Sequence, residues 1–442
     1  MTNLTTRLAR LELLLAKIEP VPQEWKTEGK ASNAAARSPN EMECAPCSSW
    51  AVLVNSWRKA VKWFDGADQG LSTMLAVAFS TEFVGEQLWF KIIAPPASLK
   101  TTLLEGLAVC SNYIYSKDSI RGLHDGWKDD DGEDKSLLAL CRGKTLAIKD
   151  GDTLLKAPDL PRILSEFRGA YDRVSRTHYR NHKIADYVGH RMTVLICGTS
   201  ALREIDDSEL GTRFLDCVLM DRIDDDFEDE VGMRSVYQES RNMRILSDGR
   251  PESQHPAELS EAMALTGGYV RWLRENAHLL SDEIVISDAA LAKIAALGKF
   301  IAFMRTRPPK KGQEELSDRE FSARINKQLV RLAVSYAAVI NHKGVDEEVL
   351  RRVWMRAMDT SRGATLEIVR ALDDLGPEGA PAGSLGVKTN QSEDRMKTFL
   401  RFLAHHEIVE IVESVTKHHG LSHQTRWVLT GKMRNMYKKV TG

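Results

Sequence analysis

Between residues 71 and 220 the chain alternates short apolar runs with longer amphipathic stretches. The runs "LWFKIIA", "YIYS", "TLAIKD" and "MTVLICG" have the length and apolar content of buried strands. The intervals between them are long enough for crossover helices, which predicts a parallel sheet flanked by helices, an α/β core over 71–230. Residues 231–374 carry helical periodicity almost throughout. Ahead of the core, Leu4, Leu8, Leu11, Leu15 and Ile18 recur at steps of four and three, one stripe of a helix that ends before Pro20. With fewer than three heptads the stripe predicts docking on its own protein rather than a subunit-pairing coiled coil. Residues 20–48 are polar and read as a mobile loop, and "SSWAVLVNSWRKAVKWF" as a further helix, so that 1–70 form an N-terminal helical region.

The periodicity breaks again at "LGPEGAPAGSLG", residues 375–386, whose glycines and prolines predict a linker. Beyond it, 387–442 form a small basic module. From residue 388 onward it holds ten Lys or Arg against five Asp or Glu, a local excess that the whole chain, with 61 against 62, does not show. Within it a helical run, a turn at Gly420-Leu421-Ser422 and a second helix starting near Ser422 have helix-turn-helix spacing. That second helix would carry His423, Gln424, Thr425, Arg426 and Lys432 toward DNA.

Composition excludes little else. Charged residues make up 28% of the 442 and hydrophobic ones 43%, which is ordinary for a soluble chain of two to four domains. No apolar run approaches the ~20 residues that span a bilayer, so a cytoplasmic protein is expected. Six scattered cysteines show no disulfide framework, and the CxxC pair Cys44 and Cys47 lacks a second half-site for zinc. The clustered histidines of the tail point different ways on a helix, and the acidic stretches 127–135 and 221–230 lack the ligand pattern of a calcium loop. Both acidic stretches read as solvated loops.

The chemistry concentrates around "IIAPPASLKTT". A phosphate-binding loop reads GxxxxGK(S/T), and here Ala94 and Leu99 stand at the glycine positions, with Pro95, Pro96, Ala97 and Ser98 between them and Lys100, Thr101 and Thr102 after. A strand runs in and a helix runs out, as a phosphate cradle requires. Lys100 would neutralise phosphate charge and Thr101 would ligate magnesium. The strand "TLAIKD" ends at Asp150, placed to hold the metal through water, and Asp152 is a candidate water-polarising base because Gly151 occupies the position next to Asp150. The strand "MTVLICGTS" ends in Thr199 and Ser200, candidates to position an attacking water. Arg213, in "ELGTRFL" at the end of an expected helix, could reach across a subunit boundary to a neighbour's phosphate.

Over residues 75 to about 358 this order resembles an AAA+ ATPase, and within that superfamily the mobile-element and phage ATPases related to the minichromosome maintenance (MCM) helicases. The stretches "KSLLAL", "TLAIKD", "EFRGAYD", "CGTS" and "LGTRFL" carry the likeness, together with "SARINKQLVRLAVSYAAVI". The resemblance implies a P-loop core, a helical lid over 231–374 and a C-terminal helix-turn-helix or winged-helix-like domain. It nominates Arg324 as a second sensor contacting the γ-phosphate. It also implies ATP and Mg2+ as cofactors, DNA as partner, and a homo-oligomeric ring such as a hexamer. The expected function is a helicase or replication-initiation motor of a mobile element. The alternative is a degenerate ATPase serving as a nucleotide-gated scaffold or regulator, favoured by Leu99 and Gly151.

Overall fold

The computed structural model describes residues 42–124, 134–178, 184–207, 213–220, 256–306, 320–412 and 425–441, with isolated residues at 225, 228–233, 235–236 and 308. The leucine stripe of residues 4–18 and most of both acidic stretches lie outside the described residues. Helices α1 (Trp50–Ala60) and α2 (Asp65–Ser80) lead into strand β1 (Trp89–Ile93), helix α3 (Lys100–Ala108) and strand β2 (Ile114–Lys117). A short helix α4 (Leu137–Leu140) precedes β3 (Thr145–Ile148), α5 (Gly151–Leu155) and α6 (Leu160–Tyr171). An antiparallel pair, β4 (Val174–His178) with β5 (Ile184–Val188), is followed by β6 (Thr193–Gly198), a 3-10 helix (Ser200–Asp207) and β7 (Phe214–Val218).

Five of these strands form one parallel sheet in the order β2-β3-β6-β1-β7. Strand side chains alternate between its faces. Trp89, Leu146, Ile148, Val194, Ile196 and Phe214 pack with Ile163, Phe167 and Tyr171 of α6. On the opposite face Phe90, Ile92, Ala147, Leu195, Cys197 and Leu215 join the larger core of α2, α3 and the later helices. Burial on both faces explains why the strands read as nearly continuous apolar runs. The exception is a cross-strand pair: Lys91 on β1 and Asp216 on β7 are both buried and stand 3.0 Å apart.

The described residues from 256 to 375 are helical as expected: α7 (Ala257–Glu275), α8 (Ala277–Glu283), α9 (Asp288–Met304), α10 (Ala323–Val339), α11 (Glu347–Thr360) and α12 (Ala364–Leu375). Ser287 and Asp346 cap α9 and α11 through their side chains. Helix α11 closes the free edge of the sheet. The Asp359 carboxylate accepts from the N–H of Val218 at 3.0 Å and the Thr360 hydroxyl from that of Asp216 at 3.0 Å. Asp359 also pairs with Arg356, itself fully buried, at 2.9 Å. An edge strand that would otherwise offer unpaired donors is thereby satisfied.

Residues 375–386 are not an open linker. They continue from α12 through a 3-10 turn into β8 (Ala380–Pro381) and helix α13 (Ala382–Lys388), and Ala380, Ala382 and Leu385 are buried. Gly379, at φ 60°, lies where a Cβ would come within 2.2 Å of the Trp427 carbonyl, so the glycine permits close strand approach rather than flexibility. Helix α14 (Glu393–His405) follows, then β9 (Val409–Val412), β10 (Arg426–Leu429) and α15 (Gly431–Thr441). The three short strands form an antiparallel sheet in the order β8-β10-β9. No helix among the described residues is long and apolar enough to cross a membrane.

Candidate functional site

The chain leaves β1 at Ile93 and turns through residues 94–99 into α3. Ala94 stays tied to the sheet, its N–H donating to the Gly198 carbonyl at 3.1 Å. Left-handed backbone occurs at Ala97 (φ 59°) and at Leu99 (φ 65°, ψ −9°). Leu99 therefore adopts the left-handed conformation that the phosphate-loop pattern expects of a glycine at this position, whereas Ala94 is not among the left-handed residues, and its β-carbon carries no such penalty. Each left-handed non-glycine residue costs about 1–2 kcal/mol. Strain of this kind gathers at binding and switch segments, where surrounding structure holds it in place.

Helix α3 starts at Lys100 with no side-chain cap and no acid in its first turn. Its leading N–H groups and the positive end of its dipole form an anion seat. The Lys100 ammonium folds over the loop, donating to the carbonyls of Pro95 at 2.9 Å and Ala94 at 3.3 Å, and the Ser98 hydroxyl donates to Pro95 O. Thr101 and Thr102 are half-buried on the first turn. The loop and helix start could hold a polyphosphate.

Strands β3 and β6 end on the same edge, Ile93 being in register with Gly198 and Ile148 with Ile196. Asp150 is exposed and caps α5, accepting from Thr153 N at 3.2 Å and from the Thr153 hydroxyl. The hydroxyl bond chiefly holds its carboxyl below the usual range, so it is ionised at neutral pH. A carboxylate offers about four lone-pair positions, and those left over fit a water-mediated metal contact. Asp152 accepts the Thr199 N–H with both oxygens, at 3.1 and 3.0 Å, clamping the end of β6 to the start of α5. Gly151 is dictated by space, because a Cβ there would lie 2.3 Å from Ile196 and 2.8 Å from Leu202. No acid can occupy that position without displacing β6.

Arg213 and Arg324 lie elsewhere. Arg213 lies in a turn immediately before β7. The first residue of β7, Phe214, is in register with Trp89 at the beginning of β1, so Arg213 sits on the amino edge of the sheet. It is buried, bonded to Asp172 at 2.8 Å and set over the Tyr171 ring at 5.6 Å. The Arg324 guanidinium lies 5.9 Å from the same ring. A five-residue strand is about 16 Å long, and both arginines belong to the edge away from Lys100. Tyr171, Asp172 and Gln328, which bonds Tyr171 OH at 3.0 Å and Arg213 O at 3.1 Å, complete this group. Beside it opens a cavity of about 930 Å³ whose lining includes Arg173, Lys327 and Arg331. No sequence signal announced these partners, because they meet only through the fold.

The expected DNA-reading helix is also redrawn. His423 and Gln424 lie outside the described residues, and Thr425 is exposed just before β10. Arg426 is a strand residue that donates to Gly379 O at 2.9 Å. Lys432 opens α15 and pairs with Glu407 at 2.7 Å. Among the described residues no group of three or more His, Cys, Asp or Glu is arranged to hold a metal ion. No protein-family model matches the chain, and no curated protein matches it.

Proposed function

We propose that the chain is an ATPase of the AAA+ class that works as an oligomer on DNA. The carrying observation is the left-handed loop 94–99 between β1 and the uncapped start of α3, on the carboxyl edge of the β2-β3-β6-β1-β7 sheet. Ligands of open α/β sheets bind at that edge. Lys100 and the first-turn N–H groups of α3 bind and orient the nucleotide phosphates, while Thr101 and Asp150 are the residues that would hold magnesium. The metal would neutralise charge on the transferred phosphoryl group. Asp152 fixes the Thr199 backbone at the end of β6, where the Thr199 hydroxyl would orient water.

Arg213 and Arg324, on the far edge, cannot serve their own chain's nucleotide and act on that of the next subunit. The cationic lining near Tyr171 suits such a contact. The C-terminal module is winged-helix-like, with α13 and α14 as its helix pair and β8, β9 and β10 as its small antiparallel sheet. In this reading α14 replaces the segment after Ser422 as the helix that meets DNA. It exposes Arg395, Lys397, Thr398, Arg401 and His405. A second reading, a nucleotide-gated scaffold without turnover, draws support from Gly151, which leaves no acid next to Asp150, and from Asp152, whose carboxylate holds the Thr199 backbone. ATPase rates with and without single-stranded DNA separate the two. DNA-stimulated hydrolysis that is lost in Lys100→Ala supports the motor; nucleotide binding with no turnover under either condition supports the scaffold.

A further inference from the structure

Away from the loop, the N-terminal segment brings two cysteines distant in sequence to one place. Ala45 donates its N–H to Ala264 O of α7 at 2.9 Å. The paired glycines of that helix make a flat seat. A Cβ at Gly268 would lie 1.6 Å from the Ala45 carbonyl, and one at Gly267 would lie 3.1 Å from Cys44 Sγ and 2.9 Å from Val109. Cys44 is thus pressed against the end of α3, its Sγ 3.8 Å from Val109 O. The next residue, Cys110, is buried. Cys44 and Cys110 both line an open cavity of about 340 Å³, together with the exposed Arg271. Cys47, the CxxC neighbour of Cys44, is buried and turns to Ser49 O at 3.7 Å.

We propose that Cys44 and Cys110 are a peroxide-reactive dithiol that closes to an intramolecular disulfide, with Cys44 as the attacking thiol. The neighbouring Cys110 thiol and the charge of Arg271 bring the Cys44 thiol down to about 7, while the neighbouring Cys44 and burial raise that of Cys110. A thiolate is the reactive form, and here it is open to a small oxidant. The Cys44 thiolate attacks one peroxide oxygen and breaks the O–O bond. Cys44 becomes a sulfenic acid and hydroxide leaves, taking a proton to form water. Cys110 sulfur then attacks Cys44 sulfur, the S–O bond breaks, and the Cys110 proton departs with the hydroxyl as a second water. Overall two thiols are oxidised and one peroxide is reduced to two waters.

The test treats the reduced full-length chain with hydrogen peroxide at pH 7, blocks remaining thiols and maps peptides by mass. The wild-type chain is expected to lose two of its six thiols and to yield one linked pair, Cys44 with Cys110. Cys110→Ser, close in size, should stop at a dimedone-trappable sulfenic acid on Cys44, and Cys44→Ser should leave Cys110 free. Alkylation of Cys44 by iodoacetamide should be half-maximal near pH 7. A Cys44–Cys47 link, a stable Cys44 sulfenic acid in the wild-type chain, or six surviving thiols would each overturn the proposal.

Discussion

Replacing Leu99 by glycine isolates the backbone cost of the loop. At φ 65° the leucine β-carbon costs about 1–2 kcal/mol. If an empty loop relaxes and nucleotide binding restores the left-handed turn, binding has to repay that strain. Since 1.4 kcal/mol is about tenfold in affinity, Leu99→Gly should tighten Mg-ATP binding by roughly 5- to 30-fold. Stability should change less. Relief of strain is opposed by about 0.5–1 kcal/mol of extra unfolded-chain freedom and by loss of a side chain half-buried against the main core. Leu99→Ala is the control, because it removes bulk beside the phosphates but keeps the β-carbon. Titration with a fluorescent ATP analogue in the presence of magnesium should rank glycine well ahead of alanine and leucine. Equal gains for glycine and alanine would make bulk, not backbone, the obstacle; no gain for glycine would refute the reasoning.

Lys91→Met removes the buried ammonium beside Asp216 and leaves that carboxylate with the longer Arg203 contact, at 3.7 Å. By urea unfolding it should cost about 3–5 kcal/mol, with much of the loss recovered in Lys91→Met/Asp216→Leu; a cost below 1 kcal/mol would count against the buried pair. Mixing Lys100→Ala with Arg213→Ala should restore part of an ATPase rate that neither variant has alone, because mixed interfaces pair an intact loop with an intact arginine; a mixture as inactive as its parts would argue against action between subunits. Burial, aided by Arg142, pushes the His190 imidazole from 6.5 down to about 4. The unfolded chain therefore binds more protons between those values, and this group's contribution to stability is full above about pH 6.5 and falls away toward pH 4. His190→Gln should flatten that part of a Tm-against-pH profile, and an unchanged slope would contradict the assignment.

Four of the five parallel strands were legible because β1, β2, β3 and β6 are apolar runs of strand length. Strand β7, "FLDCV", escaped because its central acid is buried beside Lys91, on a strand far away in sequence, and Arg203. The GxxxxGK spacing led to Leu99 and Lys100, and the left-handed backbone at Leu99 agrees with it. Periodicity could place Arg324 on a helix but not say at which end of the sheet that helix starts. In the C-terminal module, glycine and proline density suggested a breaker where Gly379 instead allows β8 to approach β10. "RWVL" continues a polar stretch that also satisfies a helical pattern, and only pairing with Val409–Val412 decides for a strand.

The central claim, that loop 94–99 and Lys100 hold nucleotide phosphates, is tested most directly by calorimetric titration of Mg-ATP into the wild-type chain and Lys100→Ala. A charged hydrogen bond to phosphate contributes about 1.5–3 kcal/mol, so saturable binding should weaken roughly 10- to 150-fold in the variant. Absence of binding to the wild-type chain, or equal affinity in the two, would contradict it.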